Sequence, residues 1–501
     1  MPFPEGPGCR KPTLQDLIER ATGGQKFNRT TLFRPSLVYQ VLHDPFWVWC
    51  EYHAPRSEAV DETSRYDRIL WQRGSDHEEA WIRKHFPDAV RIEPAFGFVA
   101  LKNTLQVMLE GPPAICQPQL WDLEGESYGR ADLLIRDNTC GSYLGAYHYT
   151  VVEIKWSKSL RDYHVLQAGI YNRMLGRIQG YTPEGLTVAL RTTDTRVSFY
   201  DGERQLDEAI SKWKSLRGGQ WVPEPRRPPN ATKSPWRVYG NKLVETRNNL
   251  VLLAGVGARE REKLRQAGID RVDQLWNLRL EEVCEVLGEA HGATAYYGAQ
   301  AYKTRLPIAK PGRRLTVPRA RRLLYFDFET SDEVHPTEPP HVYLIGCWDA
   351  KRDQFVKFLA RGAQDEGRIF EEFLDYVGDA ENACLYHWTN FEIGQMTKVI
   401  QRWPTLEGGL RKLISSCVDL KQIIQSAVYL PVPTFSLKSV APALGFRWRQ
   451  ESFGAFESMV CYWDYLDAVE KSTINKAILY NEDDCVSMWH IDQELTKRLG
   501  S

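Results

Sequence analysis

Asp327 and Glu329 stand two apart in the run LLYFDFET, and Glu153 and Lys155 stand two apart in YTVVEIKWS. Both runs are rich in aromatic and branched aliphatic residues, which reads as β-strand. Side chains two apart on a strand face the same side. Two carboxylates on one face repel unless a cation lies between them, and an uncompensated acid on an apolar strand is costly to bury. Asp327 and Glu329 therefore read as ligands for a hard divalent metal such as Mg2+ or Mn2+. Glu153 reads the same way, with Lys155 placed to orient a metal-bound water or to meet developing negative charge. A metal in such a place lowers the pKa of its water and neutralises charge on a phosphate. The chemistry this implies is hydrolysis of a phosphodiester.

Other residues fit the same two places. Asp132 heads the apolar run GRADLLI, expected on a strand beside the one that carries Glu153. His77, in Gly74-Ser75-Asp76-His77-Glu78, sits where a helix is expected to begin and adds a nitrogen ligand. Gln167 and Tyr171 are four apart, so they share a helix face and are expected to hold a nucleic-acid backbone. Toward the end, Glu392 lies in CLYHWTNFEIGQM, and Tyr480 and Asp484 lie four apart on the helical run ILYNEDDCVSMWHI. Asp483 is a rival to Asp484 in register, and Asp419 in CVDLKQ is an outside candidate that also suits a helix cap. Lys438, in TFSLKSVAPALGF, reads equally as a phosphate contact and as a solvated lysine. Between the two acidic sets, Gly255 and Gly257 flank Val256 in a turn between two expected helices, followed by Arg259, Arg261, Lys263 and Arg265. Glycines let a phosphate approach backbone N–H groups, so Gly255, Gly257, Arg259 and Lys263 are the candidate nucleic-acid contacts. The competing reading is a helical spacer with solvated arginines.

The ordered set Gly-x-x-His, Asp, Glu-x-Lys, Gln-x-x-x-Tyr over about 70–215 resembles the RecB-like branch of the PD-(D/E)XK nucleases. The resemblance implies that His77, Asp132 and Glu153 hold metal and that Lys155 is the catalytic lysine. Some relatives hold an iron–sulfur cluster with one cysteine before the core and three after it. Here Cys50 precedes it and no cysteine follows Tyr171 until Cys284, so no cluster is expected. The segment around Gly255 resembles a helix-hairpin-helix module, which grips the DNA backbone without reading sequence. Residues 321–499 resemble the DEDD exonucleases of the RNase H-like fold, in the subclass with a tyrosine in the last motif. That resemblance implies two metals about 3.5–4 Å apart held by Asp327, Glu329, Glu392 and Asp484, with Tyr480 orienting the attacking water and strands degraded from the 3′ end. The middle motif departs from the family's Asn, three residues, aromatic, Asp: here it is His387, three residues, Phe391, then Glu392, whose reach is one methylene longer.

These motifs need elements to position them. The chain alternates strand-like and helical stretches over its first ~215 residues and again from 321 onward. The expected architecture is α/β and multidomain: a restriction-endonuclease-like PD-(D/E)XK domain over 1–215, a proline-rich basic linker over 216–247, a small all-α helix-hairpin-helix module over 248–305, a basic linker over 306–320, and an RNase H-like domain over 321–501. The order matches a family of predicted RecB-like nucleases with a C-terminal RNase H-like domain. A length of 501 residues and a hydrophobic share of 43% suit such a division. A net charge of -1 makes any nucleic-acid surface a matter of local clustering. The ten scattered cysteines, with no C-x-x-C pair, argue against a zinc ribbon or a disulfide framework. No signal peptide or membrane span is expected, and a cytoplasmic location follows. No phosphate-loop motif is present, so no nucleotide cofactor is expected and a separate helicase would supply unwinding. The expected function is a dual-site, metal-dependent nuclease acting on DNA, single-stranded or at duplex ends, with RNA the other substrate considered. The rival readings are a single-site nuclease whose other domain only binds nucleic acid, and a non-catalytic binding scaffold.

Overall fold

The computed structural model describes residues 12–94, 96–226, 233–335, 337–469 and 472–499. It is a mixed α/β chain with two compact units. One comprises residues 12–62, 68–226 and 233–240, and the other 63–67 and 241–499.

The strands of the first unit are β1 (Val90–Arg91), β2 (Ala114–Cys116), β3 (Gln119–Asp122), β4 (Ser127–Arg130), β5 (Leu133–Asp137), β6 (His148–Ile154), β7 (Gly185–Ala189) and β8 (Asp194–Ser198). Six of them form a mixed sheet in the order β1-β2-β5-β6-β7-β8, while β3 and β4 pair as a separate hairpin. β6 is central, antiparallel to β5 and parallel to β7. A strand covered on both faces reads as a near-continuous apolar run, which is why HYTVVEI lacks the polar alternation of an edge strand. Helices Phe98–Glu110, Asp162–Gln179 and Phe199–Arg217 supply Leu105, Met174 and Trp213 to a core shared with Leu134 and Val151. The helix carrying His77 begins at Arg65, not near Gly74 as expected. Ser64 and Asp67 exchange hydrogen bonds at its start, Asp67 N to Ser64 Oγ at 3.1 Å and Ser64 N to Asp67 Oδ2 at 2.9 Å, so the helix starts on that box and carries Gly74 in its interior.

The second unit holds β9 (Ile308–Ala309), β10 (Arg322–Ser331), β11 (His341–Asp349), β12 (Gln354–Leu359), β13 (Ala383–His387), β14 (Cys417–Asp419) and β15 (Val428–Tyr429). The main sheet runs β12-β11-β10-β13-β14. β10 is antiparallel to β11, the pairing expected for HVYLIGCWD, and parallel to β13. Alternation divides β10 between two cores. Leu324, Phe326 and Phe328 pack against Ile369, Phe370 and Phe373 of the helix Glu366–Val377. Leu323 and Tyr325 pack on the opposite side with Met488 and Ile491 of the long helix Ile474–Leu499. Asp327 and Glu329 continue that second face.

Residues 248–305 have a core of their own, containing Leu253, Leu264, Val272 and Leu275 with Ile269 packed on it. Two corrections arise here. The arm before the glycine turn is a single 3-10 turn, Leu250–Leu252, rather than an α-helix, because the Asn249 side chain caps it through Val251 N at 2.8 Å and the buried run ends after Leu253. The stretches expected as linkers are also partly ordered: Arg237–Thr246 is helical, and β9 pairs with β15. Residues 227–232 of the first stretch lie outside the described residues. After the turn, the helix Ala258–Gln266 ends ahead of Gly268, whose φ is 79°.

Candidate active site

The acidic cluster of the second unit is built by β10 and the long helix facing it. Asp327, Glu329 and Asp484 each offer a carboxylate oxygen, and the three oxygens lie within 4.8 Å of one another. Tyr480, one turn before Asp484, bonds to its carboxylate. Asn481, between them on the same helix, donates from Nδ2 to Asp327 Oδ2 at 2.9 Å. The side chain of Asn481 lies over Gly346, the residue opposite Asp327 on β11: a Cβ there would stand 1.7 Å from Asn481 Oδ1. Glycine at 346 is thus the condition for this close approach.

Each carboxylate has a distinct set of partners. Glu329 bonds to Ser458 and Tyr343, whose hydroxyls are 2.7 Å apart. Asp484 accepts from Trp448 Nε1 at 2.6 Å, and Lys438 Nζ stands 3.5 Å from it, over the rings of Trp448 and Tyr480. Glu392 lies in the first turn of the helix Phe391–Arg402 and is 4% exposed. Its Oε2 accepts no hydrogen bond among the described residues and is 3.7 Å from His387 Nδ1. Burial, then the Asp484, Glu329 and Glu392 charges, push Asp327 well above the usual carboxylate range. Burial and Asp484 do the same to Glu329. Burial raises Asp484, against the pull of Lys438 and the Trp448 N–H. Burial, with Asp484 beside it, raises Tyr480 and holds its phenol protonated. The Lys438 ammonium therefore faces three carboxylates, those of Asp484, Glu329 and Asp327. An oxygen-only, crowded donor set of this kind fits a hard divalent cation.

The two rival acids are engaged elsewhere. Asp483 accepts from Arg449 Nε at 2.6 Å and from Arg449 N at 2.8 Å. Asp419 caps the helix Leu420–Ala427 through Gln422 N at 2.8 Å.

In the first unit, Asp132 precedes β5 and Glu153 lies near the end of the adjoining β6. Asp132 Oδ2 accepts from Ile154 N at 2.7 Å. Glu153 is 1% exposed, with Oε1 receiving both Lys155 Nζ and Gln167 Nε2 at 2.6 Å and Oε2 without a hydrogen-bond partner among the described residues. The structure departs from expectation at two points. His77 turns to the ring of Trp156, 5.4 Å away, with Arg191 and Asp194 as its charged neighbours, and burial lowers its pKa. Its neighbour Glu78 faces Asp132 and accepts from Gln117. Successive helical residues point about 100° apart, so one helix presents only one of the two to the acids. Burial and Asp132 raise Glu78 to about 7. Burial, with Asp132, also raises Glu153, while Lys155 is raised because the carboxylates around it outweigh its burial. Gln167 and Tyr171, expected to hold a nucleic-acid backbone, are turned inward: Gln167 grips Glu153 and bonds to the buried Tyr171.

In the helical segment, Gly255 takes φ 80° and is exposed, as are Arg259 and Lys263 on one face of the helix that follows. The residues that sequence reasoning missed are Glu78, Asn481, Tyr343, Ser458 and Trp448. Only Asn481 carried a local signal, by lying between Tyr480 and Asp484 on a helix already read as functional. No helix among the described residues is long and apolar enough to cross a membrane, and the nine described cysteines are free.

Residues 324–496 match the sequence profile of a family in the RNase H superfamily. The match begins on β10 and ends on the helix that carries Tyr480, Asn481 and Asp484. No curated protein matches the chain closely enough to count as a relative.

Proposed function

We propose that this chain, whose C-terminal domain is RNase H-like, is a metal-dependent nuclease with two sites: a 3′-5′ exonuclease site at Asp327, Glu329, Glu392 and Asp484, and a RecB-like site at Glu78, Asp132, Glu153 and Lys155. The observation that carries the reading is the meeting of three carboxylates within 4.8 Å, those of the half-buried Asp327 and the buried Glu329 and Asp484. Such an arrangement is unfavourable by itself and becomes favourable around a divalent cation, which would supply water activation and charge neutralisation on the phosphate. Asn481 fixes the Asp327 carboxylate, and Ser458 and Tyr343 fix that of Glu329. Tyr480, kept protonated, presents its hydroxyl beside Asp484 to orient the attacking water. Lys438 supplies a cation for the phosphate of the strand end.

In the first unit, the support is the unmatched Oε2 of Glu153 beside Asp132 and Glu78, with Lys155 held at 2.6 Å from the same carboxylate. Lys155 is placed to stabilise negative charge at a reacting phosphate, and Gln167 orients the ligand. DNA is the proposed substrate, with the exposed Gly255, Arg259 and Lys263 and the half-buried Gly257 as backbone contacts. A separate helicase would supply unwinding.

The test is cleavage of end-labelled single- and double-stranded DNA and RNA in Mn2+, Mg2+ or EDTA by wild type, Glu153→Ala, Asp327→Ala and the double variant. Metal-dependent products that change differently in each single variant and vanish in the double support two sites. Loss of all products in one single variant leaves one site. Binding that persists in EDTA with no product from any substrate contradicts the nuclease reading.

A further inference from the structure

Where the helical segment meets the β9/β15 pair of the second unit, a cavity of about 260 Å3 opens beside the glycine turn. Its floor is the helix Glu289–Thr304, which turns Ala290, Thr294 and Gly298 toward it. These residues recur every fourth position and so share one face. All are small, and that leaves the volume. Gly255 adds to the opening, since a Cβ there would stand 2.9 Å from Thr294 Cγ2. Two aromatic residues line the cavity, Tyr429 and Phe435. Tyr429 is fixed by stacking on Tyr297, with centroids 5.2 Å apart and planes at 15°. Lys310 brings positive charge, with Nζ 4.9 Å from the centre of the Tyr429 ring and its backbone N bonded to Ala427 O at 2.8 Å. The pairing of β9 with β15 therefore holds the ammonium at the cavity rather than leaving it to wander in solvent.

Phe435, on the cavity wall, is tied to the segments that carry the catalytic cluster. Phe435 O accepts from Trp388 Nε1 at 3.0 Å, and Trp388 follows His387, the neighbour of Glu392. Three residues after Phe435 comes Lys438, 3.5 Å from Asp484, a span of at most about 11 Å of chain. A strand whose end lies at the carboxylates thus passes within reach of the cavity.

We propose that this cavity is a nucleotide-binding pocket for the single-stranded part of the substrate, seating one nucleotide behind the strand end with its base against Phe435 and a phosphate on Lys310. An aromatic wall beside a fixed cation is the recurring means of holding unpaired nucleotides without reading sequence. The inference rests on the nuclease reading of the second unit and goes beyond it by assigning the subsite that grips the strand.

The test measures binding of fluorescein-labelled (dT)15 and (rU)15 in EDTA, alongside Mn2+-dependent hydrolysis of thymidine 5′-monophosphate p-nitrophenyl ester, too small to span both places. The variants are Lys310→Glu, which reverses the cation, and Thr294→Trp, which fills the cavity. Lys351→Glu, in the exposed turn between β11 and β12, controls for charge alone. The pocket predicts that both cavity variants weaken oligonucleotide binding about tenfold, that Lys351→Glu does not, and that ester hydrolysis is unchanged. A loss seen with only one oligonucleotide supports the pocket and names its sugar. Wild-type binding by both cavity variants overturns the proposal, as does a loss in Lys310→Glu alone, or a parallel loss of ester hydrolysis. If the wild type cleaves nothing, the nuclease reading falls, while the binding arm still decides whether the pocket takes nucleic acid.

Discussion

Replacing Asp327 with asparagine is expected to stabilise the metal-free protein while abolishing cleavage at the C-terminal site. The carboxylate oxygens of Asp327, Glu329 and Asp484 lie within 4.8 Å of one another. At an effective dielectric constant of about 20, two full charges at that separation repel by about 3.5 kcal/mol. The raised pKa values mean that the cluster already sheds part of this repulsion by holding protons. The relief on removing one charge is therefore about 2 kcal/mol. The asparagine keeps an acceptor for Asn481 Nδ2, so no hydrogen bond need be lost. For a unit of this size such a gain is about 4–8 °C in Tm. The order should reverse in Mn2+, where a cation at a hundred times its Kd stabilises the wild type by about 2.7 kcal/mol and the variant far less. Differential scanning fluorimetry in EDTA and in Mn2+ gives both numbers. A variant that melts no higher than wild type in EDTA would refute the reasoning, because the carboxylates would then not be in electrostatic conflict.

Further expectations come from other contacts. Gly346→Ala would force a Cβ to 1.7 Å from Asn481 Oδ1 and 2.9 Å from Phe355 Cε2; urea unfolding should show a loss of about 2 kcal/mol, with kcat lowered as Asn481 releases Asp327. Arg319 pairs with the wholly buried Asp492, which also receives the Tyr325 hydroxyl; Arg319→Met leaves that charge unmatched and should cost about 3 kcal/mol by the same measurement. Burial, then Lys155 and Arg161, lower His164 to about 4. The unfolded ring takes its proton near pH 6.5 and the folded ring only near 4. Stability is thus intact above 6.5 and lost as pH falls between the two values, by about 2 kcal/mol once partial hydration is allowed for. His164→Gln should flatten the fall in Tm between pH 7 and 4.5, and an unchanged slope would assign it to other groups.

The legible parts of the site are those where charge conflicts with local environment. Asp327 and Glu329 stand out because acids two apart on an apolar strand must share a face, and β10 places them so. Tyr480 and Asp484 share a helix face for an equally local reason. The choice between His77 and Glu78 was not legible, because it depends on how the helix Arg65–His85 is rotated against the sheet, which no spacing within the helix encodes. Tyr343, Ser458 and Trp448 reach the carboxylates from segments far apart in the chain; tyrosine and tryptophan ordinarily serve a core and serine the surface, so none of the three types signals a site by itself. The inward turn of Gln167 and Tyr171 follows from the burial of Glu153 on a central strand, which needs a partner for Oε1. In the fold, strand alternation was readable from period and apolar runs. The helix start at Arg65 was obscured by Gly74, and the 3-10 arm before Gly255 by an apolar run that suits either helix type.

Metal dependence at Asp327 is measured most directly by Mn2+ occupancy set against cutting on the same samples. Bound Mn2+ would be counted by electron paramagnetic resonance of the free ion, and mononucleotide release from a 3′-labelled single strand would be followed at each concentration, in Glu153→Ala protein with and without Asp327→Ala. Release is expected to rise with an Mn2+ population that Asp327→Ala removes, and to disappear with it. Release that persists without that population, or Mn2+ bound at Asp327 with no release at any occupancy, would contradict that expectation.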